Sequence, residues 1–528
     1  MAIRPTFLGF EASKSGLFAS QKGMDIVGNN LSNATTEGYT RQRIVQRANS
    51  AGDYITRYKT NQVTYAGMGV TVEGVEQLRS KQLDQHFRNQ YANSGYYDKA
   101  SDMLSQMESV LQEIDEGKTG NGYSLRNSIS EIYNALQDFS SNANSIEIAG
   151  VVANSFSNIC DVLNQKYAQL ESLETTFKDE FKSTTDRVNE IFKEISVLND
   201  RIENSMIANQ YTGIYGPNEL KDQRNLLIDE LSMYGQVKVT DISDIYDPKK
   251  DTVGGVKVEF NGQMAVHGKD YDRLMLQTIN GNTEAHWRSS GEVMNADTGG
   301  LKSYLDILNG NGPNPINETD TRQRGFPYYK DKLDAFAQTL ADTFNNIIPV
   351  VDDTVQPPTD KLDEYGNPLY RNFIGASNAQ GTVLDFEHVT AKNISTSNAL
   401  RMDPSYLIYD PNSSENNYVL KMVDQLSNQP HKFDGQYNDF TGTFEAYISD
   451  YTTTLGNDIS LANTNLEASL VITQEILNTR DSIMGVSETE ETTSMLVYNR
   501  AFQAAARMMT TMDDMLDIIV NQIGAAIA

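Results

Sequence analysis

Apolar side chains recur at a nearly constant interval through a long stretch in the first half of the chain. From Phe156 to Ile202 they are three or four residues apart, with Thr184 filling one gap, and the mean interval is about 3.5 residues. This interval is typical of the seam of a coiled coil and is shorter than the turn of a straight helix. If residues 146–209 form one helix, it is roughly 95 Å long at 1.5 Å per residue. The pattern therefore predicts a rod rather than a small globule.

A second seam of the same period runs along the C-terminal end of the chain. Its positions are Tyr498, Phe502, Ala505, Met509, Met512, Leu516, Ile519 and Ile523. A weaker seam at the N-terminus repeats every seven residues, at Phe10, Leu17, Met24 and Leu31, with Val27 between the last two and the small polar Ser13 and Ser20 at its other positions. Isolated helices of this kind are marginally stable in water, so we expect both terminal helices to need partners.

The two ends of the chain carry opposite charge. Residues 1–50 hold six basic and three acidic side chains, whereas residues 471–528 hold three basic and eight acidic ones. Charge alone favours two solvated helix faces, because exposed ion pairs contribute little. The shared heptad spacing favours a pair of helices that fold side by side or dock onto neighbouring copies.

Proline placement separates the helical ends from the middle of the chain. After Pro5 the prolines lie only between Pro217 and Pro430, so long uninterrupted helices are possible on both sides. The middle contains strand-like alternation at 256–260, followed by an Asn261-Gly262 turn that is typical of a β-hairpin. We therefore expect helical ends around a partly β middle.

Composition excludes several classes of function. The chain has 528 residues, 43 basic and 71 acidic side chains and a formal charge of −28, which argues against binding to nucleic acid or anionic membranes. The single cysteine, Cys160, excludes a disulfide within one chain. The first residues lack the apolar region of a secretory signal, and no run approaches 18 apolar residues. We expect neither a cleaved signal peptide nor membrane insertion.

Motifs for catalysis or cofactor binding are incomplete. Gly117-Lys118-Thr119 resembles the end of a phosphate-binding loop, but Gln112 stands where that loop needs glycine. Asp410-Pro411-Asn412 lacks the glycine and closing glutamate of a calcium loop. The five histidines show no metal-ligand spacing. The prediction is a protein that is not an enzyme and has no catalytic residues, no cofactor and no metal site.

The residues after the first predicted helix are more informative. Asn29, Asn30 and Asn33 are expected to end that helix, because their side chains compete for its backbone hydrogen bonds. Gly38 permits a reversal of the chain, and Tyr39 is expected to start an extended segment that includes Arg41 and Gln42.

This stretch resembles the N-terminal signature of the flagellar axial proteins, and its Gly-Tyr-x-Arg-Gln ending resembles the members that form the hook–filament junction. Other blocks agree with the family in order. They are Gly69-Val70-Thr71-Val72 with Gly74-Val75, the helix 218–232 with its Asp222-Gln223-Arg224-Asn225, Gly299-Gly300-Leu301-Lys302 with Thr343-Phe344-Asn345-Asn346, and a C-terminal block from Arg480 to Arg507. The family more often has an acid where Asn225 and Thr489 stand, and Gln where Asn499 stands.

Pattern and resemblance together predict a mainly α fold with β-containing insertions. It is an elongated rod of long antiparallel helices or coiled coil built from both chain ends, with a partly β middle that faces outward. Four domains are expected. They are a terminal coiled-coil assembly domain (1–50 with 486–528), a helical rod domain (51–235 with 299–348 and 440–485), a β-containing excursion (236–298) and a variable outward-facing insertion (349–439).

The resemblance implies a structural protein that joins the bacterial flagellar hook to the filament and self-assembles through its terminal helices after type III export. Its expected partners are further copies of itself, the hook protein, a second junction protein (hook-associated protein 3) and a cytoplasmic export chaperone that holds the C-terminal helix. The expected location is extracellular, in the flagellum. Alternatives are another axial protein, such as a hook, distal-rod or neighbouring junction protein, a secreted adhesin with a binding module at 349–439, and a secreted enzyme with its catalytic domain within 236–440.

Overall fold

The computed structural model describes most of the chain, in eleven stretches. They are residues 6–49, 69–112, 124–209, 216–242, 255–313, 323–352, 359–363, 366–378, 381–409, 416–437 and 439–518. Every structural statement below refers to these residues.

Long helices dominate both ends of the chain. The helices are α1 (Thr6–Ser32), α2 (Lys81–Leu111), α3 (Leu125–Ser141), α4 (Ile146–Asn209), α5 (Asn218–Tyr234), α6 (Gly300–Asn309), α7 (Phe326–Asn345), α8 (Asn398–Met402), α9 (Asn417–Ser427), α10 (Phe444–Met484) and α11 (Glu488–Asp517), with a short 3₁₀ helix at Pro404–Leu407.

The strands are short and pair antiparallel in small sheets. They are β1 (Gln42–Ala48), β2 (Val70–Gln77), β3 (Val237–Asp241), β4 (Val256–Phe260), β5 (Gln263–His267), β6 (Asp270–Tyr271), β7 (Leu274–Ile279), β8 (Asn282–Trp287), β9 (Val351–Asp352), β10 (Thr359–Asp360), β11 (Ile374–Ser377), β12 (Val383–Asp385), β13 (Ile394–Thr396), β14 (His431–Asp434) and β15 (Asp439–Gly442). β3 to β6 form a four-stranded sheet in chain order, and β11 lies between β12 and β13. The remaining strands pair as β1–β2, β7–β8, β9–β10 and β14–β15. The predicted fold class, mainly α with small β insertions in the middle, is confirmed.

The single helix expected over residues 146–209 is α4, with 64 residues. Its predicted seam is buried at most positions, from Phe156 through Phe177 to Ile202, and is partly buried at Tyr167, Leu173 and Thr184. By length and composition α4 also contains a stretch apolar enough to cross a membrane. Its apolar stripe, however, packs inside the rod against α3, α5, α6 and α7, which is the arrangement of a core helix.

The C-terminal half of the chain returns to complete the rod. α10 runs antiparallel to α2: the hydroxyl of Ser94 lies 3.1 Å from that of Thr473, and seven residues further along α2 the hydroxyl of Ser101 donates to Asn463 at 2.5 Å. Residues far apart in sequence therefore share one bundle, as the prediction of a rod built from both chain ends requires.

The β-containing middle is anchored on α4 by aromatic side chains. The ring of Phe192 on α4 packs against Phe260 of β4 and Trp287 of β8, with ring centroids 5.4 and 6.1 Å apart. Asn261 and Gly262 both have positive φ, 49° and 80°, between β4 and β5. The hairpin predicted from this dipeptide is confirmed.

Residues 349–439 pack on the rod as well. The side-chain amide of Asn164 in α4 donates to the carbonyl of Ile394 in β13 at 2.9 Å. Phe433 of β14 stacks on Tyr447 of α10, with centroids 4.1 Å apart, and Phe373 is fully buried. This segment is thus fastened to the helices beneath it. The four domain boundaries given above stay a prediction.

Candidate assembly site: the terminal helix pair and its clasp

The first and last described helices, α1 and α11, pack against each other. Along α11 the half-buried residues include the predicted seam positions Tyr498, Phe502, Ala505, Met509, Met512 and Leu516. On both sides of this stripe the residues are exposed, for example Val497 and Met508. Ile519 and Ile523, the last two predicted positions, lie outside the described residues.

The seam predicted on α1 from its large apolar residues is wrong in its rotation about the helix. Leu31 is 40% exposed, and Leu17 and Met24 are only partly buried. The buried stripe consists instead of Ala19, Ser20, Gly23, Ile26, Val27 and Asn30. Small residues on α1 allow the axes of the two helices to lie closer together, so α11 packs along the small side chains. Only Ser20 and Val27 of the predicted line belong to it.

α1 ends where the asparagines predicted it would. The side-chain amide of Asn33 donates to the backbone carbonyl of Asn29 at 3.0 Å and to its side-chain oxygen at 2.9 Å. Gly38 then takes φ +75°, a conformation that glycine adopts without steric cost. β1 begins at Gln42, three residues later than the extended segment expected from Tyr39.

Asn30 is the centre of a polar cluster, which we call the clasp and define as Asn30, Tyr39, Arg41, Gln42, Asn218, Asp222, Glu490 and Glu491. The Asn30 side chain is 1% exposed and makes four hydrogen bonds. Its oxygen accepts from the Tyr39 hydroxyl at 2.8 Å and from the Gln42 amide at 3.0 Å. Its nitrogen donates to the Gln42 carbonyl at 2.8 Å and to the Glu491 carboxylate at 3.0 Å. Asn30 therefore joins α1, β1 and α11 at one point.

Arg41 supplies the ionic part of the clasp. Its Nε donates to Glu491 at 2.7 Å and its Nη1 to Glu490 at 2.6 Å, while its backbone amide donates to the carbonyl of Met484 at the end of α10. Glu491 is 2% exposed and shares its two oxygens between Arg41 and Asn30. A buried carboxylate with two such partners fixes the start of α11 against β1.

Gln42 and Asp222 connect the clasp to the rod. The Gln42 side-chain oxygen accepts from Asn218 of α5 at 3.1 Å, and the Asp222 carboxylate accepts from the Thr40 amide at 3.2 Å and from Gln77 at 2.8 Å. Burial raises the pKa of Asp222 to about 6, even though these hydrogen bonds favour the ionised form. Burial also raises the pKa of Tyr39, which keeps that hydroxyl a donor to Asn30.

A second buried network lies on α2, α5 and α10. Asp229 accepts from Arg88 at 2.7 Å and from Arg480 at 2.6 Å, and Arg480 also lies 3.3 Å from Asp84. The Arg480 guanidinium covers the ring of Phe87 at 4.9 Å. Although Asp229 is buried, the two guanidinium groups hold its pKa below the ordinary value. The network ties α2 and α5 to α10.

The structure thus brings together Asn30, Tyr39, Arg41 and Gln42 of the predicted motif. Asn29, Asn33 and Gly38 shape the helix end and the turn without entering the clasp. The sequence pattern assigned no role to the acidic partners, which are Asp222, Glu490 and Glu491. For Glu490 and Glu491 the signal was the excess of acidic residues at the C-terminal end opposite the basic N-terminal end, and charge gave no such signal for Asp222.

The described residues give little support for a metal site or a catalytic site. Within them, no group of three or more His, Cys, Asp or Glu side chains could hold a metal ion. Cys160 is 2% exposed, and burial raises the pKa of its thiol. A cavity of about 1100 Å³ lies between α2, α6, α10 and β8. In its wall the Asp306 carboxylate accepts from Tyr96 at 2.9 Å. The incomplete motifs at Gly117–Thr119 and Asp410–Asn412 lie outside the described residues.

Three families match the chain. Residues 104–348 match the flagellar hook-associated protein FlgK helical domain, residues 10–40 match the flagella basal body rod protein family, and residues 481–523 match the flagellar basal body rod FlgEFG protein C-terminal family. The two terminal matches contain most of α1 and all of α11, which form the helix pair described above.

Individual proteins agree with these matches. Flagellar hook-associated protein 1 of Bacillus subtilis is 27% identical over 98% of this chain and 99% of its own length. The protein of the same name from Salmonella typhimurium is 28% identical over 43% of this chain and 38% of its own length. The solved structure of the flagellar hook junction protein FlgK from Burkholderia pseudomallei has a TM-score of 0.54 and 11% identity, covering 76% of this chain and all of that one.

A helical rod closed by a terminal helix pair, together with the rod-type families at both ends, defines a flagellar axial structural protein and not an enzyme. The protein is part of the flagellum and associates with other axial proteins. Within this class the chain resembles flagellar hook-associated protein 1, in its helical domain and over nearly its full length. The alternative of a secreted enzyme is therefore wrong, and the similarity to hook-associated protein 1 favours the junction over a hook, rod or neighbouring junction protein.

Proposed function

We propose that the chain joins the flagellar hook to the filament, as identical copies that assemble through the paired helices α1 and α11. The observation that carries this proposal is the terminal pair itself. It is fastened to the rod by the clasp, and it presents apolar side chains on its outer surface. A joint needs both properties: an adhesive end and a stiff connection to the body.

The outer surface of the pair is apolar enough to be an interface. On α1, Phe18 is 47% exposed and Leu31 is 40% exposed. On α11 the large apolar side chains exposed by about half or more are Leu496, Val497, Met508, Met515 and Ile518. Contiguous exposed apolar surface is uncommon on monomeric soluble proteins and typically marks a binding surface. The opposite charges of the two chain ends favour docking of neighbouring copies in a defined orientation.

The clasp supports the proposal because it connects this adhesive end to the rod. Arg41, the residue before β1, bonds to α11, while Asp222 and Asn218 of α5 bond to the neighbouring Thr40 and Gln42. Charge-assisted hydrogen bonds are short and directional, so they hold the pair at a fixed angle to the rod. A subunit that transmits torque from hook to filament requires such a fixed angle.

The partners and route in this proposal follow the family. The chain leaves the cell unfolded through the flagellar type III apparatus, with a cytoplasmic chaperone on its C-terminal helix until export. Outside the cell the terminal helices contact the hook protein and the second junction protein, and the middle of the chain faces outward. The long uninterrupted helices at both ends can refold after export without a disulfide, since the chain has one cysteine.

Deletion of the gene tests this function. Electron microscopy of the deletion strain should show hooks that carry no filaments, and the wild-type gene should restore filaments. Filaments of normal length and number on the deletion strain would refute the proposal, and so would loss of the hooks themselves.

Complementation with clasp variants then tests the site. Arg41→Ala removes the partner of a buried carboxylate, so we expect secreted, folded protein that fails to support filaments. Arg43→Ala is the matched control, because Arg43 is two residues away and pairs with Glu76 at the surface, with 62% of its side chain exposed. Equal motility of the two variants would show that the clasp is not needed for the joint.

A further inference from the structure

α1 meets α11 through residues that repeat every seven positions. Three glycines of α1 each lie against one residue of α11, in the pairs Gly9–Met512, Gly16–Ala505 and Gly23–Tyr498. The next step of seven brings the Asn30 amide to the Glu491 carboxylate at 3.0 Å. Each step forward on α1 is matched by an equal step back on α11. The two helices are therefore antiparallel and hold one register over four layers.

Two of these glycines, Gly9 and Gly23, leave space that their partners on α11 occupy. A Cβ atom added at Gly23 would lie 2.6 Å from the nearest ring carbon of Tyr498, and one added at Gly9 would overlap the end of Met512. At Gly16 the partner is small, and an added Cβ would lie 4.0 Å from that of Ala505. Glycine is among the least favourable residues in a helix interior, so its repeat at these positions indicates a packing requirement.

The glycines and the polar layer restrict different movements. A shift by three or four residues would place Tyr498 against a residue with a side chain. A shift by one heptad in one direction would place it against another glycine, Gly16, so the glycines alone allow that slip. The Asn30–Glu491 layer does not, because a slip would leave the buried Glu491 carboxylate without Asn30 and Arg41. An unpaired buried charge is strongly destabilising, and one polar layer can fix the register of a coiled coil.

We propose that Gly9 and Gly23 are register-determining residues of the terminal helix pair, and that the Asn30–Glu491 layer selects one of the heptad registers that the glycine repeat allows. This inference deepens the proposed assembly function and rests on it for its biological use. We call the side of α1 that carries Gly9, Gly16 and Gly23 the glycine face, and it is occupied by α11 of the same chain. It fits an antiparallel helix whose side chains repeat every seven residues and which places a carboxylate opposite Asn30.

Engineered cysteines in the full-length chain test the register directly. The 4.0 Å between an added Cβ at Gly16 and that of Ala505 lies within the 3.5–4.5 Å typical of disulfides. Gly16→Cys with Ala505→Cys should therefore form an intrachain disulfide under mild oxidation, seen as a faster-migrating monomer on a non-reducing gel. The native Cys160 is buried and does not compete. Gly16→Cys with Met512→Cys, one heptad out of register, should give less than about a tenth of that product.

Two outcomes would overturn the proposal. Equal cross-linking of the in-register and slipped pairs would show that the register is not fixed. A disulfide-linked dimer from the in-register pair would show that α11 of a second copy occupies the glycine face.

A second set of variants tests the glycines themselves, with the rate of the engineered cross-link between positions 16 and 505 as the readout. Gly23→Ala should lower that rate at least about threefold, because the added methyl group overlaps the Tyr498 ring, and adding Tyr498→Ala should restore it. Gly28→Ala is the matched control, since an added Cβ there has no atom within 4 Å, and it should leave the rate unchanged. An unaltered rate in Gly23→Ala would refute the role of the glycines. The cross-link is read on a gel and does not depend on flagella. It can therefore support the register even if the gene-deletion experiment refutes the proposed function.

Discussion

Replacing Asn30 by Asp is the most informative single change in the clasp, because it keeps the shape of the side chain and removes both of its donors. In the native protein the Asn30 nitrogen donates to the Gln42 carbonyl at 2.8 Å and to Glu491 at 3.0 Å. In the variant a carboxylate oxygen faces these two acceptors. The lost hydrogen bonds are worth about 1 kcal/mol for the neutral partner and about 1.5–3 kcal/mol for the charged one.

Electrostatic repulsion adds to this loss. Two carboxylates about 3 Å apart repel by up to about 5 kcal/mol at an effective dielectric constant near 20, and the Arg41 charge offsets part of it. The protein can avoid the repulsion by keeping the introduced aspartate protonated, so that its hydroxyl donates to Glu491. Holding a carboxyl of ordinary pKa near 4 protonated at pH 7 costs about 4 kcal/mol. With the one hydrogen bond that is not recovered, this protonated form costs about 5 kcal/mol in all, so we expect the free energy of local opening of α1 and α11 to fall by about 3–5 kcal/mol at pH 7.

The sign of the pH dependence follows from the same argument. In the folded state the pKa of the introduced carboxyl is raised above its unfolded value, so the destabilisation is full above the folded pKa, decreases as the pH falls below it, and disappears only below the unfolded pKa. At pH 4.5 holding the carboxyl protonated costs about 1 kcal/mol, so together with the one hydrogen bond that is not recovered the deficit relative to wild type should shrink to about 2 kcal/mol.

Amide hydrogen exchange of α1 and α11 in the full-length protein measures this difference at both pH values. Asn33→Asp is the control, since Asn33 is a partly exposed asparagine at the same helix end and bonds only within that turn. It should cost about 1 kcal/mol or less at either pH. A deficit for Asn30→Asp that is the same at pH 7 and pH 4.5, or no larger than that of the control, would refute the role assigned to Asn30.

Three further changes test other parts of the molecule. Asp229→Ala leaves Arg88 buried without its carboxylate, so urea denaturation should show a loss of about 3–5 kcal/mol; a loss under about 1 kcal/mol would contradict the network. Burial raises the pKa of Asp334 to about 6, so its ionisation weakens the fold as pH rises through 6; Asp334→Asn should be about 2 kcal/mol more stable than wild type at pH 8 and equal at pH 4, and parallel stability–pH curves would refute this. Leu516→Asp places a charge on the half-buried stripe of α11, so filament assembly should fail while the melting of the rod is unchanged; the exposed Thr510→Asp is the control, and filaments with both variants would exclude the stripe from assembly.

Much of the rod could be predicted because its signals are local. The seam of α4 repeats along one continuous helix, and its predicted positions from Phe156 to Ile202 line the core. The hairpin at Asn261-Gly262 depends on two residues that tolerate positive φ. In both cases the residues that determine the structure are close together in sequence, so one stretch of sequence contains the evidence.

The clasp could be predicted only in part. The asparagines, Gly38 and Tyr39 indicated a helix end and a turn, and the family resemblance added Arg41 and Gln42. The carboxylates that complete the cluster lie 182 residues from Thr40, at Asp222, and 450 residues from Arg41, at Glu491. No local pattern connects residues so far apart, because their meeting depends on how the whole chain folds. The opposite charges of the two chain ends correctly indicated that these ends meet, but they did not identify the residues in contact.

The seam of α1 shows why hydrophobic periodicity can choose the wrong face of a helix. Two heptads run along α1 one residue apart: glycine and asparagine at 9, 16, 23 and 30, and large apolar residues at 10, 17, 24 and 31. One residue corresponds to a rotation of about 100°, so the two stripes lie on different sides. A search for apolar spacing selects the second stripe, whereas α11 packs on the first, because bulky residues such as Tyr498 and Met512 need the space that glycine leaves. The apolar stripe then stays partly exposed, as the proposed docking of neighbouring copies requires. A repeat in one sequence can record contacts within the subunit and contacts between subunits, and its period alone does not distinguish them.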